Sequence, residues 1–145
     1  MEKEESKWIL EVLRKIDVFT TLEENELEDL VAQMAYYQFK KGQTIIKQGE
    51  PSDFFFVVHE GLVNVYVKKF LVHDKLVNTI GPGAFFGEMA LLTHTKRQAT
   101  LVAEKKTSCF VLFKSSFQYA VNNNPFFKSR METIVKKRSK QLKKA

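Results

Sequence analysis

Gly87, Glu88 and Arg97 are of types, and at spacings, that could do chemistry, and that chemistry is anion recognition rather than bond making. They stand in the run GPGAFFGEMALLTHTKRQAT, residues 81–100. Gly87-Glu88-Met89-Ala90-Leu91-Leu92 reads as a single helical turn. Its first residue has no side chain to block approach to the outward-pointing N–H groups, which favour a negative group. Ten residues after Gly87 comes Arg97, whose planar guanidinium can grip a phosphate through two parallel hydrogen bonds. Glu88 makes no sense as a phosphate ligand, but its carboxylate can accept from a neighbouring sugar hydroxyl. One cation, one helix start and one carboxylate describe a ligand with a single phosphate charge and a free ribose hydroxyl, that is, a 3′,5′-cyclic nucleotide. The ligand-free alternative is a buried Glu88–Arg97 pair bracing a corner.

The elements that must hold these residues can be read along the chain. Trp8, Ile9, Val12, Leu13 and Ile16 recur at helical spacing after a polar start, residues 1–6, that is expected to fray. Thr21-Leu22-Glu23-Glu24 reads as a capping box opening a second helix that runs to about Met34. From Tyr36 to Phe113 short apolar runs are punctuated by Gly42, Gly49-Glu50-Pro51, Glu60-Gly61 and Gly81-Pro82-Gly83, a spacing suited to a β-barrel or sandwich. Val63, Val65 and Val67 share one face of a strand, whereas Phe54 to Val58 is continuously apolar and is expected to be covered on both sides. Phe85 and Phe86 are expected to step into the core. Ala99–Ala103 and Cys109–Phe113 read as the last two strands. A short helix then runs from Lys114 to about Val121. Asn122-Asn123-Asn124 stops it, and Pro125 opens the next, whose apolar stripe is Phe127, Met131, Ile134, Val135 and Leu142.

Composition narrows the class. At 145 residues the chain is large enough for one domain with a proper core, and thirteen phenylalanines supply much of the burial. No apolar run reaches the ~20 residues that span a bilayer, and no secretory signal is present. The single cysteine, Cys109, excludes an internal disulfide and reads as a small core residue. His59, His73 and His94 lack metal-ligand spacing. The net charge of +6 is localised: residues 125–145 hold eight Lys/Arg and one acid, whereas residues 1–124 hold 15 basic and 16 acidic side chains. The basic end reads as a solvated helix face, with phosphate or an anionic membrane leaflet as the other options. No nucleophile–base pair, metal cluster or P-loop is visible, so the expectation is a binding module and not an enzyme, with no metal.

F-G-E-x-A-L-L followed by R-x-A-T resembles the phosphate-binding cassette of the cyclic-nucleotide-binding domain family, and the Gly87 to Arg97 spacing matches. The resemblance implies an α+β fold: an eight-stranded antiparallel β-roll, or jelly-roll barrel, with an N-terminal helical pair, a short cassette helix and two C-terminal helices. Within one domain, residues 1–35 would be the helical pair, 36–114 the β-roll with its cassette at 81–100, and 115–145 the hinge and lid helices. The backbone of Gly87, Met89 and Ala90 would take the phosphate with Arg97, and Glu88 the 2′-hydroxyl. Val65, Val77 and Asn78 align with positions that face the base. Gln98 can donate and accept, so it could serve either base or point to water; cAMP is the favoured ligand, with cGMP open.

The likeness looks nearest to ligand domains of bacterial cyclic-nucleotide-gated potassium channels, through residues 81–92, Phe117-Gln118 and Asn124-Pro125. In that group an arginine on the last helix folds over the base, and Arg138 falls at the matching place. The implied function is a cytoplasmic regulatory module of a plasma- or inner-membrane protein. Its lid helix would close on ligand and gate an upstream pore, and a homo-oligomer could form through the full-length protein. The alternatives are a cyclic-nucleotide-responsive transcription regulator and a kinase regulatory fragment. No specific DNA binding is expected, because few residues follow the lid helix to form a helix-turn-helix.

Overall fold

The computed structural model describes residues 2–20, 22–51, 53–68, 74–87, 91, 96–130, 132–133 and 136. The chain divides into two compact units, Ala35–Val111 and Met1–Met34 with Leu112–Ala145. The first is β-structure: β1 (Ala35–Phe39), β2 (Thr44–Ile46), β3 (Phe54–Glu60), β4 (Val63–Val67), β5 (Lys75–Ile80), β6 (Phe85–Phe86), β7 (Thr100–Ala103) and β8 (Thr107–Phe113), which carries on past Val111. They form two four-stranded sheets, ordered β1-β8-β3-β6 and β2-β7-β4-β5. The neighbours β1/β8, β2/β7, β3/β6, β4/β5 and β4/β7 run antiparallel.

The core lies where side chains of both sheets meet. Phe56, Val58, Cys109 and Val111 come from one sheet and Ile46, Val63, Val65 and Leu101 from the other, joined by Ala99. Alternation in β4 is as expected, with Val63 and Val65 buried and Val67 packed against the same cluster. Phe55, Phe56, Val57 and Val58 are all fully buried, as a continuously apolar strand requires. Two expectations change. Phe85 does not step into the core: it is 37% exposed, because in a two-residue strand paired to β3 only Phe86 turns inward to pack on the core. The last strand begins at Thr107, two residues before Cys109. The Thr107 hydroxyl, accepting from the Leu62 N–H at 3.3 Å and donating to the Lys105 carbonyl at 2.8 Å, lets a polar residue sit fully buried.

The second unit, over its described residues, is mainly helical: α1 (Lys3–Arg14), a 3-10 turn (Asp17–Phe19), α2 (Glu24–Gln33) and α3 (Lys114–Asn122), followed by helical residues 125–130. Helix α1 starts at Lys3, earlier than the frayed start expected, and Ser6 N–H already bonds the Glu2 carbonyl at 3.0 Å. The capping box also lies two residues later than expected. Glu23 and Glu26 form it, with the Glu23 N–H reaching the Glu26 carboxylate at 2.9 Å. A carboxylate supplies the same acceptor as a Thr hydroxyl, so the i, i+3 spacing fitted two registers; Thr21 lies outside the described residues. The unit's centre is aromatic. Phe117 meets Phe19 edge-on at 6.0 Å and Phe127 at 5.5 Å, and all three are buried. Asn124 opens the last helical segment, its Oδ1 accepting from the Phe127 N–H at 3.0 Å, while its Nδ2 donates to the Glu26 carboxylate.

Candidate functional site

Arg97 is placed by backbone bonds before its side chain does anything. Its N–H donates to the Glu50 carbonyl at 2.8 Å, and its carbonyl accepts from the Gly49 N–H at 2.8 Å. Pro51 bridges to Lys96, and the Gln48 N–H reaches the Thr100 hydroxyl at 3.0 Å. The approach to β7 is thereby zipped to the loop between β2 and β3, which fixes the point from which the guanidinium springs.

Arg97 as a residue is 5% exposed and among the few buried polar or charged residues of those described. Its Nη2 donates to the Phe54 carbonyl, and its guanidinium carbon stands 4.8 Å from the Phe54 ring centroid. Nη1 occupies the space where a Gly87 side chain would begin: a Cβ built there would overlap it and would come within 3.1 Å of the Phe54 carbonyl oxygen. Gly87 also has φ +91°, a conformation that favours glycine. The sequence pair Gly87 and Arg97 is thus brought into contact, and glycine is what lets it happen. Burial pushes the Arg97 guanidinium below its ordinary range, and Asp53 offsets part of that. A cavity of about 230 Å³ adjoins it, lined by Ile46, Lys47, Glu50, Pro51, Asp53 and Phe54. Glu50 and Asp53 put two exposed carboxylates on this cavity beside Lys47, and a cation as buried as Arg97 needs an anionic partner to offset its desolvation.

The other expected site residues are distributed as follows. Val65 is 6% exposed and pairs directly with Asn78 across β4 and β5. The register shifts immediately after that pair, leaving Val77 as the extra residue of a bulge, 52% exposed. Val65, Val77 and Asn78 therefore form one local group. Gln98 is exposed beside Arg97, and Leu91 is buried. Glu88, Met89, Ala90, Arg138, His73 and His94 lie outside the described residues. His59 is held by the Tyr36 hydroxyl at 2.8 Å from its Nδ1. Phe54 was not anticipated as a partner of Arg97. It opens an apolar run that sequence can only assign to the core, and its carbonyl is a backbone group with no sequence signature.

The sequence profile described as "Cyclic nucleotide-binding domain" matches residues 37–124. The chain belongs to that family. It is 44% identical over 86 residues to a cGMP-dependent protein kinase of Toxoplasma gondii, covering 59% of this chain and 8% of the kinase. It is 33% identical over 103 residues to a cAMP-dependent protein kinase regulatory subunit of Debaryomyces hansenii, covering 70% of this chain and 22% of the subunit. The chain therefore spans under a quarter of the length of either relative. Among solved structures, cAMP-bound PfPKA-R superposes with a TM-score of 0.77 at 30% identity, over 83% of this chain and 43% of that one. The α+β fold, with N-terminal helices, eight antiparallel strands in two sheets and C-terminal helices, is that of the family. These relatives are kinases and kinase regulatory subunits, not channels, and they lend no support to the channel likeness read from residues 81–92, Phe117-Gln118 and Asn124-Pro125. A cassette encodes an anion site, and an anion site carries no information on the effector attached to it.

Proposed function

We propose that this chain is a regulatory module that takes up a cyclic nucleotide through Arg97 and passes the change to a kinase activity, in the same polypeptide or in a bound subunit. The observation that carries the reading is the buried guanidinium seated against Gly87 at the cassette. The phosphate would meet Arg97 and the backbone of Gly87, Met89 and Ala90. Glu88 would take the 2′-hydroxyl, and the base would lie towards Val65, Val77 and Asn78, with Arg138 as its cover. The module binds and does not catalyse: ligand acts only through its preference for one conformation over another. A preference of about 3 kcal/mol would shift that balance by roughly a hundredfold or more. Both cAMP and cGMP are compatible with this reading, and the polar Gln98 would be the side chain to weigh one base against the other.

Calorimetric titration of the 145-residue chain with cAMP and cGMP tests this. Saturable binding of at least one is expected, weakened by about 2–4 kcal/mol in Arg97→Ala, since the ligand's charge is left without its partner. Absence of uptake at millimolar nucleotide, or an Arg97→Ala protein that is folded and binds as tightly as the wild type, would overturn it.

A further inference from the structure

We propose that Phe54 is a positioning residue for Arg97, holding the guanidinium at the cassette before any ligand arrives. The inference rests on the reading of Arg97 as the phosphate anchor. Two independent parts of Phe54 act on the same group: the carbonyl accepts from Nη2, and the ring lies 4.8 Å from the guanidinium carbon. That is within the range where a cation is attracted to a ring face, and the attraction grows where water is excluded. With Arg97 only 5% exposed, water is largely excluded. An arginine side chain loses about 2 kcal/mol of rotamer entropy when fixed. A cation already fixed in the free protein pays that cost on folding instead of on binding.

Phe54, at the start of β3, is only partly buried, while the next four residues are fully buried. Its ring packs at the margin of the core cluster that holds Phe56 and Val58, and from there it also reaches Arg97. The carbonyl contact belongs to the backbone and survives any substitution, so side-chain variants isolate the ring. Phe54→Leu keeps apolar bulk and removes the π face, whereas Phe54→Tyr keeps it.

The experiment titrates the full chain, as wild type, Phe54→Leu, Phe54→Tyr, Arg97→Ala and Phe54→Leu/Arg97→Ala, with cAMP and cGMP. Phe54→Leu is expected to bind about tenfold more weakly, and Phe54→Tyr to stay within about twofold of wild type. On the Arg97→Ala background the Leu substitution is expected to cost nothing further, because its target is gone. A folded Phe54→Leu with wild-type affinity would overturn the proposal, and so would an equal loss in the double variant. Nuclear magnetic resonance of the Arg97 side-chain N–H groups gives a second readout that needs no ligand. Their ring-shifted, slowly exchanging signals in wild type and Phe54→Tyr are expected to revert towards solvent values in Phe54→Leu. Unchanged signals in Phe54→Leu would likewise overturn it. If wild type binds no cyclic nucleotide, the functional reading fails, and these signals still decide whether Phe54 clamps Arg97.

Discussion

The β unit and the helical unit solve the same burial problem by different means. In Ala35–Val111 two ladders of antiparallel strands enclose a cluster to which β2, β3, β4, β7 and β8 all contribute. No single side chain carries that core. In the helical unit, among the described residues, Phe19, Phe117 and Phe127 come from three separate segments and meet at Phe117, beside buried aliphatic side chains of α1 and α2 such as Ile9, Leu13, Leu27 and Leu30. One carboxylate adds to this, since Glu26 both closes the cap of α2 and accepts from Asn124, which caps the last helical segment. A ladder ties separate segments together through backbone bonds, whereas helices satisfy their backbone internally and are joined by side-chain packing. The β unit is therefore expected to open last and the helical unit first.

The largest test of this contrast is Phe117→Ala. Truncating a fully buried ring costs about 3–5 kcal/mol. Hydrogen exchange is expected to show the amides of α2 and α3 losing protection while those of β3 and β8 keep theirs. Equal loss in both units would break the comparison. Gly87→Ala comes next. Its φ of +91° and the overlap with Arg97 predict a loss of about 1–2 kcal/mol in unfolding free energy, with nucleotide affinity falling as the guanidinium is displaced. An unchanged titration would separate Gly87 from the site. Asn124→Ala removes a cap and its bond to Glu26, and about 1 kcal/mol of stability is expected to go, read by chemical denaturation.

The last effect concerns the β core and is confined to alkaline pH. Burial pushes the Cys109 thiol up from 9.0 to about 12, so the folded state favours the protonated form. That contribution is complete below pH 9.0 and is lost as pH rises towards about 12, because the unfolded chain releases its thiol proton first. Wild type is therefore expected to lose stability more steeply than Cys109→Ala across that window. Parallel curves would mean the thiol is open to solvent.

Much of this was legible in the residues themselves. Strict alternation placed Val63 and Val65 inside, the continuous run Phe54 to Val58 marked a covered strand of which all but Phe54 is fully buried, and Pro125 marked a helix start. These are local facts: period and turn chemistry follow from backbone geometry that each segment carries with it. The pairing of Gly87 with a cation ten residues later was also written in the chain, as types and spacing. The register of the capping box was not, because Thr21–Glu24 and Glu23–Glu26 offer the same acceptors at the same separation. Nor was the partner of Arg97. Phe54 stands 43 residues away and acts partly through its carbonyl, which every residue possesses. Sequence alone pointed to the β-structure and to the pairing of Gly87 with Arg97. Tertiary structure decided what holds the cation still, because long-range contacts depend on where chain segments meet in space and not on what either segment prefers alone.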